Sequence, residues 1–119
     1  MGHDAQDPHE HSYYVPADLD RFSEIGKDVP ELWKKFMEWY SACFKDGALT
    51  AREKALIALA VAHTVQCPYC IDAYTSSALR NGSDMEEMTE AIHVAAAIRG
   101  GASLVHGVQM RTYAEKMSM

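Results

Sequence analysis

A pair of cysteines, Cys67-Pro68-Tyr69-Cys70, directly follows the most apolar run of this 119-residue chain. Proline lacks a backbone N–H and is best tolerated in the first turn of a helix, so Pro68 predicts a helix that begins there. Cys67 is then expected at the N-cap and Cys70 one turn inside the helix. Both sulfurs would lie near the positive end of the helix dipole, which lowers a thiol pKa and favours the reactive thiolate. The pattern therefore indicates redox chemistry at Cys67 and Cys70.

Two other interpretations of the cysteine pair stay open at this point. A CxxC motif can be half of a zinc site, but zinc would need two more ligands, and the sequence has no second CxxC and no HxxxH. The sequence also has no GxGxxG and no P-loop, so we expect neither a metal nor a cofactor. The two cysteines could instead be structural. The third cysteine, Cys43, follows a run of aromatic residues and is expected to be a small buried residue.

Helix signals punctuate the chain after a polar N-terminal arm, residues 1–17, which has neither helical nor strand periodicity. Thr50 and Glu53 form a capping box, and Pro30 opens an earlier helix. Residues 55–62 are all apolar, so this helix is expected to be the most buried. Asn81-Gly82 is a stop signal. Helices are therefore expected at about residues 18–26, 30–44, 51–65, 67–80, 84–100 and 102–116, with a break or a close backbone contact at Gly100-Gly101.

No stretch alternates polar and β-branched residues as a strand would, so the predicted fold class is all-α, with one helical domain over residues 18–119. The net charge of −6 opposes the phosphate attraction on which nucleic-acid binding depends. An apolar run of eight residues is too short to span a membrane, and the N-terminus lacks a secretory signal, so we expect a cytoplasmic protein that binds neither nucleic acid nor membrane. A chain this small with so many apolar helix positions is expected to form a homo-oligomer.

Two residues near the cysteines are candidate catalytic groups. His63 lies one helical turn before Cys67 if the helix continues, and its neutral imidazole could accept a thiol proton. The alternative is a core histidine bonded to a backbone carbonyl. Tyr74 lies one turn after Cys70 and could donate a hydrogen bond to a thiolate. His93 and His106 lie on apolar helices, and both are expected to be core residues.

Residues 49–61, Leu-Thr-Ala-Arg-Glu-Lys-Ala-Leu-Ile-Ala-Leu-Ala-Val, followed by Cys67-Pro-Tyr-Cys70 and an alanine-rich helix, are the basis of a resemblance. Over about residues 30–110 the chain resembles the AhpD-like alkylhydroperoxidases of the carboxymuconolactone decarboxylase superfamily. The resemblance implies an all-helical fold that assembles as trimers or hexamers. It also implies peroxide reduction in which the second cysteine attacks and the first resolves, which makes Cys70 the attacking residue.

The chain departs from the pattern of these hydroperoxidases at two positions. They carry a Glu twelve residues before the first cysteine and a His four residues after the second, which together relay a proton to the attacking thiol. Here the matching positions are Ala55 and Tyr74. The position at the helix terminus alone would favour Cys67 as the nucleophile, whereas the resemblance favours Cys70, beside Tyr74. We expect Cys70 to attack and Cys67 to resolve.

The first functional hypothesis is accordingly a thiol-dependent oxidoreductase, a peroxidase or disulfide reductase. Its substrate would be a peroxide or a small disulfide, and an external dithiol would regenerate the cysteine pair. The alternatives are a catalytically weak member of the fold that binds a small molecule, and a lactone decarboxylase-type enzyme. The second is the less favoured, because a CxxC motif has no role in lactone decarboxylation.

Overall fold

The computed structural model describes residues 13–118, and every described element is helical. The predicted all-α fold class is confirmed. The part of the arm at residues 1–12, with its three histidines, lies outside the described residues. The chain divides into two compact units, one ending at Asp46 and the other beginning at Gly47, and we describe each by itself.

The first unit contains a 3₁₀ helix, Pro16–Gly26, and helix α1, Pro30–Cys43. A proline opens each of them, as its fixed φ and missing N–H favour. The two are joined by aromatic packing, with the Phe22 and Trp33 ring centroids 4.9 Å apart. Gly26 leaves room for the Trp33 side chain, because a Cβ at residue 26 would lie 2.6 Å from atoms of the Trp33 ring. None of the residues of these two helices is buried.

Aromatic side chains follow one another along α1 and just beyond its end. Centroids of Phe36 and Tyr40 are 5.4 Å apart, and those of Tyr40 and Phe44 are 5.1 Å apart. These rings recur at i and i+4, which lie on one face of a helix. These rings therefore form an aromatic face on α1, and part of it is exposed to solvent, with Phe36 38% exposed.

The second unit contains helices α2 (Ala51–Thr64), α3 (Pro68–Arg80) and α4 (Met85–Met117). Thr50 and Glu53 form the predicted capping box at the start of α2. A second capping box, formed by Asp84 and Glu87, begins α4. At the end of α3, Gly82 adopts φ +88°, as expected of a glycine that ends a helix.

Helices α2 and α4 run in the same direction, and α3 connects the end of α2 to the start of α4. Arg52 near the start of α2 forms an ion pair with Glu87 near the start of α4. Twelve residues further along both helices, Arg99 of α4 donates a hydrogen bond to the carbonyl of Thr64, the last residue of α2. Since both contacts join residues separated by the same interval, 35 positions, the two helices are parallel and in register.

A small apolar core lies where the three helices meet. It consists of Ala55 and Leu59 of α2, Ala78 of α3 and Met88 of α4. Leu56 and Tyr74 are partly buried and pack against this cluster, which we call the apolar cluster. Helix α2 has the most buried residues of the described helices, as predicted, although Ile57 and Val61 on its other face are about half exposed.

Helix α4 is continuous over 33 residues, so the alternative of a break at Gly100-Gly101 is wrong. Glycine costs about 1 kcal/mol relative to alanine in a helix, but unlike proline it keeps its N–H, so the hydrogen bonds of the helix continue through the pair. The alternative of a close backbone contact is also not seen within the chain. Outside the surrounding backbone of α4 itself, no heavy atom of residues 13–118 lies within 4 Å of the position that a Cβ would take at Gly100 or Gly101.

Candidate active site

The three-residue connection between α2 and α3 fixes the position of Cys67. Gln66 adopts the left-handed conformation, with φ +57°, and its N–H donates to the carbonyl of His63. The N–H of Cys67 reaches back to the carbonyl of Ala62, at 3.2 Å. These two bonds form a Schellman motif, which ends a helix and satisfies its last carbonyls. The chain therefore turns sharply, and Cys67 lies immediately before the first residue of α3.

Cys67 is the N-cap of α3, as predicted. Its Sγ accepts a hydrogen bond from the backbone N–H of Cys70, at 3.3 Å. The Cys67 carbonyl accepts the first helical hydrogen bond, from Ile71, at 2.9 Å. Both cysteines are half-buried and both are free thiols. The sulfur of Cys67 thus occupies the place at which an N-terminal helix N–H binds a negative group.

The two thiols differ in acidity. The pKa of Cys67 is lowered, first because the Cys70 thiol donates a hydrogen bond to it and then because the backbone N–H of Cys70 does the same. Burial first, and then the hydrogen bond to Cys67 and the charge on it, raise the pKa of Cys70 to about 11. Of the pair, Cys67 is therefore the thiol that ionises first, and Cys70 holds its proton.

The two positions at which this chain departs from the hydroperoxidase pattern lie in the same apolar cluster. Ala55 is 1% exposed and forms part of the cluster, and Tyr74 packs against it. In the hydroperoxidases these positions carry a proton relay. In this chain the residues at these positions pack in the apolar cluster or against it.

His63 lies in the last turn of α2 and does not continue a helix to Cys67, because α2 ends at Thr64. Its Nδ1 is 2.8 Å from the carbonyl oxygen of Leu59. A carbonyl can only accept, so the Nδ1 of the neutral ring carries the proton and Nε2 carries the lone pair. The ring is therefore bonded to the backbone, as the core alternative proposed, while Nε2 keeps the capacity to accept a proton.

The structure brings Cys67 and Cys70 together through a direct hydrogen bond. The Nδ1 of His63 is bonded to the Leu59 carbonyl, and Tyr74 packs against the apolar cluster. Sequence reasoning missed Arg99, whose cationic side chain binds the last carbonyl of α2, where it also complements the negative end of the helix dipole. The available signal was a spacing in the sequence. Arg99 follows Thr64 by 35 positions, close to the interval that separates the capping box of α2 from that of α4. Among residues 13–118 no group of three His, Cys, Asp or Glu side chains converges as a metal site would require.

Three expectations about other side chains are wrong. Cys43 is exposed at the end of α1, not buried. His93 and His106 are also exposed. His106 lies beyond Arg99, the residue of α4 that contacts the last residue of α2, so α2 does not reach it. Separately, no helix of the described chain is long and apolar enough to cross a membrane.

The sequence pattern described as "Carboxymuconolactone decarboxylase family" matches residues 30–110. A Paracoccus denitrificans protein, described as uncharacterized protein 4 in the cox locus, is 48% identical over 90 residues, which cover 76% of this chain and 78% of that protein. A carboxymuconolactone decarboxylase family protein from Legionella pneumophila has a similar crystal structure, with a TM-score of 0.66 and 33% identity over 78% of this chain and 84% of that one. A protein from Methanobacterium thermoautotrophicum matches with a TM-score of 0.69 and 32% identity, covering 72% of this chain and 97% of that one. The chain thus belongs to the carboxymuconolactone decarboxylase family.

Proposed function

We propose that this protein is a thiol-dependent oxidoreductase in which Cys67 and Cys70 alternate between a dithiol and an intramolecular disulfide. The observation that carries the proposal is the hydrogen bond from the Cys70 N–H to the Cys67 Sγ. It places two free thiols within one helical turn and makes one of them more acidic. A thiolate beside a second thiol is the arrangement that disulfide formation requires.

The reaction is a two-electron exchange with an oxidised substrate, either a peroxide or a small disulfide. One thiolate attacks the substrate, and the second thiol then displaces the product to close the Cys67–Cys70 disulfide. An external dithiol would reduce that disulfide and restore the starting state.

Thiol counting tests the proposal directly. The Cys43→Ser variant removes the third thiol, which is exposed on α1. One equivalent of hydrogen peroxide or oxidised glutathione should consume both remaining thiols and leave a disulfide that links them in a peptide map. The matched controls are Cys67→Ser and Cys70→Ser, neither of which can form that link. If wild-type protein keeps both thiols under either oxidant, the redox proposal fails, and the small-molecule-binding alternative gains support.

We also propose that a second copy of this chain covers the exposed part of α4. From residue 96 to residue 117 every residue is exposed except Gly107, which is half-buried. The apolar residues of this part are 62% to 80% exposed, namely Ile98, Leu104, Val105, Val108, Met110, Tyr113 and Met117. Most of the stability of a helix in a protein comes from tertiary packing of its apolar face, so helix–helix contacts between copies would supply what the chain itself does not.

A further inference from the structure

We propose that Cys67 is the attacking thiol, that Cys70 resolves, and that the substrate sulfur belongs to a disulfide. This inference rests on the proposed thiol redox function. It reverses the order of attack that the resemblance to the hydroperoxidases implies.

The geometry of the α2–α3 connection favours Cys67. The Schellman motif through Ala62 and His63 holds the backbone on one side of Cys67, and the first turn of α3 holds it on the other. The Sγ of Cys67 accepts the N–H of Cys70, so a negative charge on this sulfur is already solvated by the backbone. A thiolate at this position needs no side-chain base to form.

The surroundings of Cys70 disfavour it as the first nucleophile. Its thiol lies one turn inside α3, where burial and then the adjacent Cys67 raise its pKa to about 11. A base could offset this, and in the hydroperoxidases the positions matching Ala55 and Tyr74 carry one. Here Ala55 has no group that can accept a proton, and Tyr74, which packs against the apolar cluster, carries a phenol in place of an imidazole.

The leaving group decides the class of substrate. Reduction of a hydroperoxide expels hydroxide or an alkoxide, which are far more basic than a thiolate, so a general acid must protonate the leaving oxygen. Thiol–disulfide exchange expels a thiolate, whose conjugate acid has a pKa of about 8.5 and which needs no such help. In the neutral form of the His63 ring the proton lies on Nδ1, bonded to the Leu59 carbonyl, so that form has no Nε2 proton to give to a leaving oxygen. A disulfide therefore fits this site better than a peroxide.

The two steps activate the cysteines in order. The Cys67 thiolate attacks one sulfur of the substrate disulfide, forms a mixed disulfide and releases the first substrate thiolate. In the mixed disulfide Cys67 carries no charge and no longer accepts the hydrogen bond of the Cys70 thiol. Both of these causes of the raised Cys70 pKa are then lost, and burial remains. Cys70 loses its proton to solvent and attacks the Cys67 sulfur. The intramolecular disulfide forms, the second substrate thiolate leaves, and two electrons have passed from the cysteine pair to the substrate.

The test determines which of the two cysteines forms a mixed disulfide with a small disulfide reagent. In the Cys43→Ser background, Cys70→Ser should accumulate a mixed disulfide with oxidised glutathione that peptide mapping assigns to Cys67. Cys67→Ser should react at Cys70 several-fold more slowly at pH 7, because burial still raises the Cys70 pKa in this variant and reaction rate follows the thiolate fraction. Serine is a good N-cap, so Cys67→Ser is expected to keep α3, and circular dichroism would check this. Cys67→Asn and Cys70→Ala provide second variants should either serine variant misfold.

Each part of the proposal has its own contrary result. Faster capture at Cys70 in Cys67→Ser than at Cys67 in Cys70→Ser would reverse the cysteine roles. If Cys43→Ser closed its disulfide faster with cumene hydroperoxide than with oxidised glutathione at equal concentration, a disulfide substrate would be ruled out. If the Cys43→Ser protein formed no Cys67–Cys70 disulfide with either reagent, the proposed function itself would fail.

Discussion

At the scale of single residues, two side chains occupy positions that their chemistry does not suit. Gln66 has a left-handed backbone, in which a Cβ crowds the following carbonyl, and it directly precedes Cys67. Ser83 follows Gly82 at the end of α3 and is 5% exposed. The Ser83 hydroxyl is buried without a hydrogen-bond partner in the described chain.

Replacing Gln66 by glycine should stabilise the protein. Glycine removes the Cβ strain of about 1 kcal/mol, and the gain is partly offset because glycine is more flexible in the unfolded chain. We therefore expect Gln66→Gly to raise the urea midpoint slightly and the β-branched variant Gln66→Val to lower it. A Gln66→Gly midpoint below that of Gln66→Val would show that the left-handed turn is not formed.

Replacing Ser83 by alanine should also stabilise the protein, by about 1 kcal/mol, since an unpaired buried hydroxyl costs about that much. Ser83 donates its N–H to the carbonyl of Ala78, and at this position of a Schellman motif an apolar side chain is the usual contact. The control is Ser83→Thr, which keeps the hydroxyl and adds a methyl beside fully buried Ala78, and which should destabilise. A loss of stability in Ser83→Ala would mean that the hydroxyl has a bonding partner.

At the scale of helices, the sequence signals that held are those that act within a few residues. Pro68, Gly82 and the capping box at Thr50 each specify a helix end through their own backbone chemistry, so they predict the α2–α3 hairpin without knowledge of its neighbours. The exposure of Cys43 and the contact of Arg99 with α2 depend on which helices pack together, and no local pattern encodes that. For the site, the N-cap position of Cys67 was predictable, whereas the packing of Tyr74 against the apolar cluster was not.

The two capping boxes predict how stability changes with pH. The pKa of Glu53 is lowered first by the backbone N–H of Thr50, and that of Glu87 first by the side chain of Arg52. The folded chain therefore binds fewer protons than the unfolded chain between the folded pKa values and the ordinary glutamate pKa of 4.5. Stability should fall as the pH is lowered through this window.

Urea unfolding at one protein concentration, at pH 7 and then at pH 3.5, measures this loss. The double variant Glu53→Gln, Glu87→Gln should be less stable at pH 7 and should lose less on acidification. An equal acid-induced loss in both proteins would assign the pH dependence to other carboxylates.

At the scale of the whole molecule, the small core and the exposed part of α4, residues 96–117, favour assembly of several copies. Only six apolar residues of the described chain are buried, and of these only Leu59 is a large side chain that is 1% exposed. Light scattering at micromolar concentration should give a mass that is a multiple of 13.2 kDa. A mass equal to a single chain would contradict the proposed oligomer.

A charge placed on α4 should weaken that assembly. Leu104 is 80% exposed, so Leu104→Glu costs the isolated chain little but would bury a carboxylate between copies. The matched control Gln109→Glu adds the same charge at an exposed polar position of the same helix. We expect a lower mass for Leu104→Glu and an unchanged mass for Gln109→Glu. Equal masses for the two variants would remove Leu104 from the interface.

The central claim is that Cys67 and Cys70 form one two-electron redox couple, and equilibration in glutathione redox buffers tests it most directly. The Cys43→Ser protein would be equilibrated over a range of ratios of reduced to oxidised glutathione, quenched with acid and mapped by mass spectrometry. The account predicts one transition, fitted by two electrons, between the dithiol and a Cys67–Cys70 disulfide. Persistent glutathione adducts on the separate cysteines, or thiols that stay reduced under the most oxidising buffer, would contradict it.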